Sequence, residues 1–289
     1  MRAAWLVALL LASSGWLLAE HHAARGMVVA TAPARDLVTI SSEDIPGYMS
    51  AMEMEFVVDD PKSLAPLKPG TLVSFTIVER GKQLYAENIK VKSGTNLESE
   101  PLQAGRLTAL HNALNPSATA LTIGQQVPDF TLIDQAGQSI RLSQFQGKAI
   151  LLTFGYSRCP NPSYCFRLSN NLAKVESRFH DRAGRDFVLL TIAIDPEYDQ
   201  GAMLTKYAAT FKADPAAWHF LTGPLPDIHR VGEQFGMNFW SEEGLVTHSL
   251  HTVILDRQGR LAVNLEGNAF TAEQLGDLLL TVMDKKEKR

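Results

Sequence analysis

Two hydrophobic rhythms divide the chain. Between residues 25 and 92, short runs rich in β-branched and aromatic residues (Met27 to Ala30, Leu37 to Ile40, Met52 to Val58, Thr71 to Val78 and Leu84 to Val91) are separated by Pro33, Pro46, Pro61, Pro69-Gly70 and Gly81. Runs of that length bounded by turn formers are strand signals, and five of them in so short a segment predict a small all-β barrel. From 123 to 287 strands alternate with helices, the pattern of an α/β domain. Val127 to Ile133, Lys148 to Gly155, Phe187 to Ile194, Trp218 to Leu221, Thr252 to Leu255 and Leu261 to Leu265 read as strands. Helices are expected after the cysteine segment, over Gln200 to Phe211, near Ile228 to Phe235 and from Thr271 to about Lys285. Residues 93–122 are polar, lack a period and contain Gly94, Pro101 and Pro116, so they predict a linker with one helical turn around Leu107 to Leu114.

The amino terminus changes the picture of where these domains work. Met1-Arg2 and the apolar stretch Ala3 to Ala19 read as a secretory signal or a short membrane anchor. Leu17 stands three residues before a cut after Ala19, which argues against cleavage, while 17 residues is at the short end for a bilayer span. Both readings place the body of the protein in a periplasm-like space, soluble or held at the inner membrane through residues 3–19. A net charge of −4 without a dense basic cluster argues against nucleic acid as a partner.

The only two cysteines fall within one segment, Ser157-Arg158-Cys159-Pro160-Asn161-Pro162-Ser163-Tyr164-Cys165. It follows the apolar Lys148 to Gly155 run, whose continuous hydrophobicity suits a strand covered on both faces. Cys165, Leu168, Leu172, Val175 and Phe179 recur at helical spacing, with Ser163 as N-cap, which puts Cys165 in the first turn of a helix. The helix macrodipole and Arg158 are both expected to favour thiolates. A disulfide across so short a loop would remove little entropy from the unfolded chain, so the pair is read as reactive, closing to a Cys159–Cys165 disulfide when oxidised.

The residues here carry a resemblance. Val127-Pro-Asp-Phe-Thr-Leu, Gly147-Lys148, the apolar strand and the cysteine at its end are similar to the peroxiredoxin-like branch of the thioredoxin fold. Phe154-Gly-Tyr-Ser-Arg-Cys-Pro160 through Cys165, Asp195-Pro-Glu-Tyr-Asp199, and Thr247-His-Ser-Leu250 before Asp256-Arg-Gln-Gly259 resemble the Sco/SenC copper proteins of cytochrome c oxidase assembly. The resemblance implies a metallochaperone in which Cys159, Cys165 and His248 hold one copper ion. Its implied partner is the copper-containing oxidase subunit or another periplasmic copper or thiol protein. One departure is the spacer, which has five residues here where the commonest family loop has three.

Two thiolates and an imidazole make a soft-to-borderline site, which by residue type alone also suits zinc. His251 competes with His248, but residues three apart on an extended segment face opposite ways, so only one of them can reach the cysteines. Asp195 closes a predicted strand and is either a neighbour of the site or a capping carboxylate.

Ile45-Pro-Gly-Tyr-Met-Ser-Ala-Met-Glu-Met-Glu-Phe56, within residues 25–92, resembles the CusF-like copper and silver binders. Met52 and Met54 share one strand face and, with Met49, form a candidate second metal site whose thioethers favour Cu(I). The family's histidine and tryptophan positions fall near Ser41 or Ser42 and near Met49. The pattern equally suits an ordinary half-buried strand. His21 and His22 are read as solvated tail or as further ligands. The alternative for the whole chain is a thiol:disulfide oxidoreductase or thiol peroxidase of the thioredoxin superfamily, with Cys159 attacking and Cys165 resolving. Against it stand the long spacer and Tyr156 where peroxidatic sites carry threonine.

Overall fold

The computed structural model describes residues 21–92, 120–242 and 244–285. The expected export segment and all but the last residues of the expected linker, with its helical turn, lie outside these residues. The all-β half is a closed barrel of β1 (His21–Ala32), β2 (Leu37–Ser42), β3 (Met52–Val57), β4 (Leu72–Arg80) and β5 (Gln83–Val91), in the order β1-β2-β3-β5-β4. Alternation along the strands sends Val28, Val38, Ile40, Phe56, Val73, Phe75 and Ile77 into the interior, where they form one apolar cluster. Closure removes the free edges that five short strands would otherwise expose.

The second half contains β6 (Thr131–Asp134), β7 (Ser139–Arg141), β8 (Ala149–Gly155), α1 (Arg167–Arg178), β9 (Phe187–Ala193) and α2 (Ala202–Thr210). It continues with β10 (Trp218–Thr222), α3 (Leu225–Glu233), β11 (Phe239–Glu242), β12 (Leu245–His248), β13 (His251–Leu255), β14 (Leu261–Glu266) and α4 (Ala272–Asp284). The main sheet runs β14-β13-β8-β9-β10-β6-β7, with β8, β9 and β10 parallel. Every residue of β8 and β9 is buried, as suits sequences that are apolar but for Thr153 and Thr191. Leu151 and Leu189 meet Leu168 and Leu172 of α1 and Leu275 and Leu279 of α4 on one face, while Ile150, Leu152, Val188 and Leu190 meet Ile228 and Val231 of α3 on the other. The expected strand over Val127 to Ile133 forms only at its end, as β6, while its partner β7 and the hairpin β11–β12 were not signalled by hydrophobic pattern, their strands being three or four residues long. Among the described residues no helix is long and apolar enough to cross a membrane.

The barrel is seated on the outer face of α4 and β14. Met27 and Val29 of β1 belong to the same buried cluster as Val263, Leu265 and Leu275. Gly70 allows the approach: its φ is +92°, and a Cβ there would lie 2.5 Å from Leu265 Cδ2. A polar pin crosses the boundary, where the Ser41 hydroxyl donates to Asp277 Oδ2 at 2.7 Å and Arg178 Nη2 donates to Asp277 Oδ1 at 2.6 Å. Asp277 is 3% exposed, so both hydrogen bonds lie within the boundary. Glu53, across from Ser41 in the β2–β3 ladder, has its carboxyl pushed up by burial and by the nearby Asp277 charge.

A further buried carboxyl gives this domain a pH-dependent stability. Glu176 of α1 is 8% exposed, accepts the Asp214 N–H at 3.2 Å, and is pushed by burial from 4.5 up to about 7. Between those values the folded protein holds a proton that the unfolded chain has released, so this contribution to stability is present at low pH and is lost as pH rises through 7. Glu176→Gln is expected to stabilise the protein at pH 8 by on the order of 1 kcal/mol after solvent screening, and to change little at pH 5. Denaturant titrations of both proteins at the two pH values check this, and an equal effect at both would contradict it.

Candidate functional site

The site forms where β8 runs out. Gly155 ends the strand, Tyr156 turns back into the core with 3% exposure, and the cysteine segment follows as a loop. Ser157 is anchored by Asp199, which accepts its backbone N–H at 2.8 Å and its hydroxyl. Asp199 is wholly buried, and burial pushes its carboxyl up against the pull of those two hydrogen bonds. Arg158 Nε donates to Asp195 at 2.5 Å, and its guanidinium lies 5.1 Å from the Tyr198 ring centroid. Pro162–Phe166 forms a π turn that leads directly into α1, so Cys165 lies in that turn two residues before the regular α segment begins.

Cys165 is 2% exposed and sits between the other two candidate donors. On one side its thiol hydrogen-bonds to Cys159, which is half-buried; on the other its Sγ lies 3.9 Å from His248 Nε2. Both cysteines are free thiols. The expectation that both would ionise easily is corrected: Cys159 is lowered to about 6, first by the hydrogen bond from Cys165, while Cys165 is raised by keeping that proton and by burial. Desolvation and the shared proton outweigh the helix macrodipole at Cys165. Arg158 contributes less than its position in the sequence suggests, because its charge is matched by Asp195.

His248 ends β12 and is delivered to the thiols by the β11–β12 hairpin. Its Nδ1 lies 2.7 Å from the Ser249 carbonyl, an acceptor only, so Nδ1 carries the proton and Nε2 presents its lone pair toward Cys165. Burial lowers its pKa to about 4, which keeps the ring neutral at physiological pH. A neutral imidazole whose tautomer is fixed by a backbone carbonyl is the form that binds a metal. His251 is directed elsewhere: it is 6% exposed on β13, and its Nδ1 meets Asn264 Oδ1 at 3.1 Å.

A single ion with bonds of about 2.3 Å to sulfur and 2.0 Å to nitrogen separates those two ligands by roughly 3.5–3.7 Å, close to the Cys165–His248 spacing. Among the described residues no three His, Cys, Asp or Glu side chains are already closed into a metal cage. Cys159 Sγ also lies 3.6 Å from the Asn161 carbonyl oxygen. A cleft of about 160 Å³ lined by Tyr156, Cys159, Tyr164, Val246, His248 and Leu250 gives access to the group. A cleft of about 270 Å³ at the opposite end of β8, around Asp129, Lys148 and Gln258, has neither cysteine nor histidine in its lining.

In the barrel, Met52 lies opposite Ser42 and Met54 opposite Ile40, on the inward face of β3. Met52 is 50% exposed, whereas Met49 and Met54 are partly buried against the barrel core. His22 is no solvated tail: it pairs with Ile77 inside β1 and stacks on Tyr48, ring centroids 3.6 Å apart. Sequence reasoning gave no role to Asp199, or to Tyr156 as a hydrogen-bonding residue. Asp199 stood in a quoted motif and Tyr156 at the end of an apolar run, but no spacing announced what either touches.

Comparison with known proteins agrees with this architecture. Residues 119–283 match SCO1/SenC, and residues 21–91 match the copper binding periplasmic protein CusF. A mitochondrial SCO2 homologue of Bos taurus is 28% identical over 156 residues, covering 52% of this chain and 56% of that protein. An SCO2-like protein of Rickettsia typhi is 26% identical over 138 residues, covering 45% and 65%. The chain thus matches between about half and two thirds of the length of these relatives. The crystal structure of a SCO1/SenC family lipoprotein from Bacillus anthracis superposes with a TM-score of 0.51 at 20% identity, covering 57% of this chain and all of that one, a likeness of fold. The match spans more than half of the 289 residues, and the chain belongs to the SCO1/SenC family, with a CusF-like barrel preceding its thioredoxin-like domain.

Proposed function

We propose that the protein is an exported copper carrier in which Cys159, Cys165 and His248 hold one copper ion as cargo. The observation that carries this reading is the 3.9 Å approach of Cys165 Sγ to a His248 nitrogen whose lone pair faces the thiols. Membership of the family directs the cargo to cytochrome c oxidase assembly, either by delivery to a copper-containing subunit or by reduction of that subunit's copper site. Two sulfurs and one nitrogen leave the ion open on the cleft side, where a partner's ligands can replace them one at a time. Loading requires the reduced dithiol and displaces the proton that Cys165 holds, so binding tightens as pH rises.

The same sulfurs support a second reading, a thiol:disulfide oxidoreductase. The asymmetry favours it, because Cys159 is half-buried with a lowered pKa and Cys165 is buried with a raised one, as suits attacking and resolving thiols. His248 separates the two readings, since dithiol exchange does not need a ligand at Nε2 and copper binding does.

For the barrel we propose a thioether site at Met49, Met52 and Met54, selective for Cu(I). Met52→Leu/Met54→Leu conserves volume and is expected to change stability by less than about 1.5 kcal/mol. Anaerobic Cu(I) titration should then show one equivalent fewer than the unaltered protein. Retention of both equivalents would remove the thioethers from the reading.

A further inference from the structure

We propose that Tyr156 is a positioning residue for the metal centre: its hydroxyl clasps the hairpin that carries His248 to the segment that carries the cysteines. The inference rests on the reading of His248 as a ligand and adds the element that fixes where that ligand stands.

The hairpin needs such a fixture. Among the described residues β11 and β12 pair only with each other, through four residue pairs, and do not join the main sheet. A two-stranded ribbon of that length is marginal in water by itself, so its place is set by contacts outside the ribbon. At its base, Phe239 stacks on His229 of α3 with ring centroids 4.0 Å apart, and Ser249 N–H donates to the Asn238 carbonyl at 2.9 Å. Those contacts hold the base of the ribbon, where Phe239 pairs with His248, and a further anchor reaches β12 two residues along at Val246.

Tyr156 supplies it. The phenol is buried at 3% exposure, and its hydroxyl donates to the Val246 carbonyl at 3.1 Å. Val246 is two residues before His248, so the bond fixes the strand one pleat away from the imidazole. The tyrosine ring also meets the His248 ring edge-on, with centroids 5.9 Å apart and planes at 79°, and the hydroxyl lies within hydrogen-bonding reach of Cys159. Tyr156 itself follows the last residue of β8 and precedes Cys159 by three residues, so it is rooted in the sheet that positions the cysteines. One side chain thereby touches the segments that bring all three donors. A ligand already held in place loses less freedom when the ion arrives, and this preorganisation is a direct contribution to affinity.

Tyr156→Phe deletes the hydroxyl and leaves the ring in its pocket. The test is a double-mutant cycle with His248→Ala, read by anaerobic competition for Cu(I) against a chromophoric chelator, in the Met52→Leu/Met54→Leu background so that only the main site reports. Thermal unfolding of each protein is recorded alongside. Tyr156→Phe is expected to weaken Cu(I) binding about tenfold when His248 is present, within the range found for residues that orient metal ligands. In the His248→Ala background it is expected to have no further effect, because the ligand it positions is gone. Equal losses in both backgrounds would overturn the proposal by making Tyr156 a general structural residue. So would an unchanged affinity when His248 is present. No loss on His248→Ala alone would overturn the ligand reading, and the clasp with it.

Discussion

Cys159→Ser/Cys165→Ser is expected to abolish tight copper binding at the main site, with a loss well beyond the roughly 10–100-fold that outer-shell changes cost. The physical reason is the nature of the donors. A serine hydroxyl keeps its proton at neutral pH and is a hard oxygen, whereas the thiolate is a soft donor that Cu(I) prefers. Cys159 is already disposed to ionise, and Cys165, though its pKa is raised, gives up the shared proton when a cation occupies the site. The fold should survive the exchange, because Ser is close to Cys in size and neither cysteine forms a disulfide in the structure. Copper titration of the reduced variant, with thermal unfolding as a control, checks the point. Undiminished tight binding at the main site would remove the cysteines from it.

His248→Ala is expected to separate metal chemistry from thiol chemistry. Copper binding at the main site should weaken by roughly 100-fold, the cost of a direct ligand being at the upper end of or above that of the residues that orient it. Oxidation to the Cys159–Cys165 disulfide should proceed, since the two sulfurs are brought together by the loop and the start of α1, not by the hairpin. The neutral ring donates through Nδ1 to its own neighbour's carbonyl, so its removal breaks no buried ion pair. Quantified thiols before and after mild oxidation, beside chelator competition, give both readouts from one preparation. Copper affinity that does not change while disulfide formation proceeds would favour the oxidoreductase reading.

What the sequence discloses about this molecule depends on whether a feature is local. The five barrel strands and the β8–α1 passage were readable because alternation and three-to-four spacing are written in consecutive residues, and the cysteine pair was readable because both members lie in one loop. The strand β12 was not, since Leu245 to His248 is only four residues long, half of them polar; His248 entered through motif resemblance instead. Distant pairings were also hidden: Ser41 with Asp277, Arg158 with Asp195, Ser157 with Asp199 and Tyr156 with Val246 each join residues far apart in the chain. The thiol asymmetry belongs to the same class. Sequence put both sulfurs near a helix start and an arginine, and only packing revealed that burial of Cys165 and the Asp195 partner of Arg158 reverse half of that expectation.

The barrel makes a related point. Alternation placed Met52 and Met54 on one face, but it could not say that the opposite face of β2 would pin the barrel to α4 through Ser41. Seating on α4 buries Met27 and Val29 with the main domain's core, so the two halves share apolar packing instead of hanging on a linker.

The central claim is that Cys159, Cys165 and His248 bind one ion together. X-ray absorption on the reduced Met52→Leu/Met54→Leu protein loaded with one equivalent of Cu(I), beside the same protein carrying His248→Ala, tests it most directly. The account predicts a first shell of two sulfurs and one nitrogen that loses its nitrogen in the His248→Ala sample. A shell without sulfur, or one unchanged by His248→Ala, would contradict it.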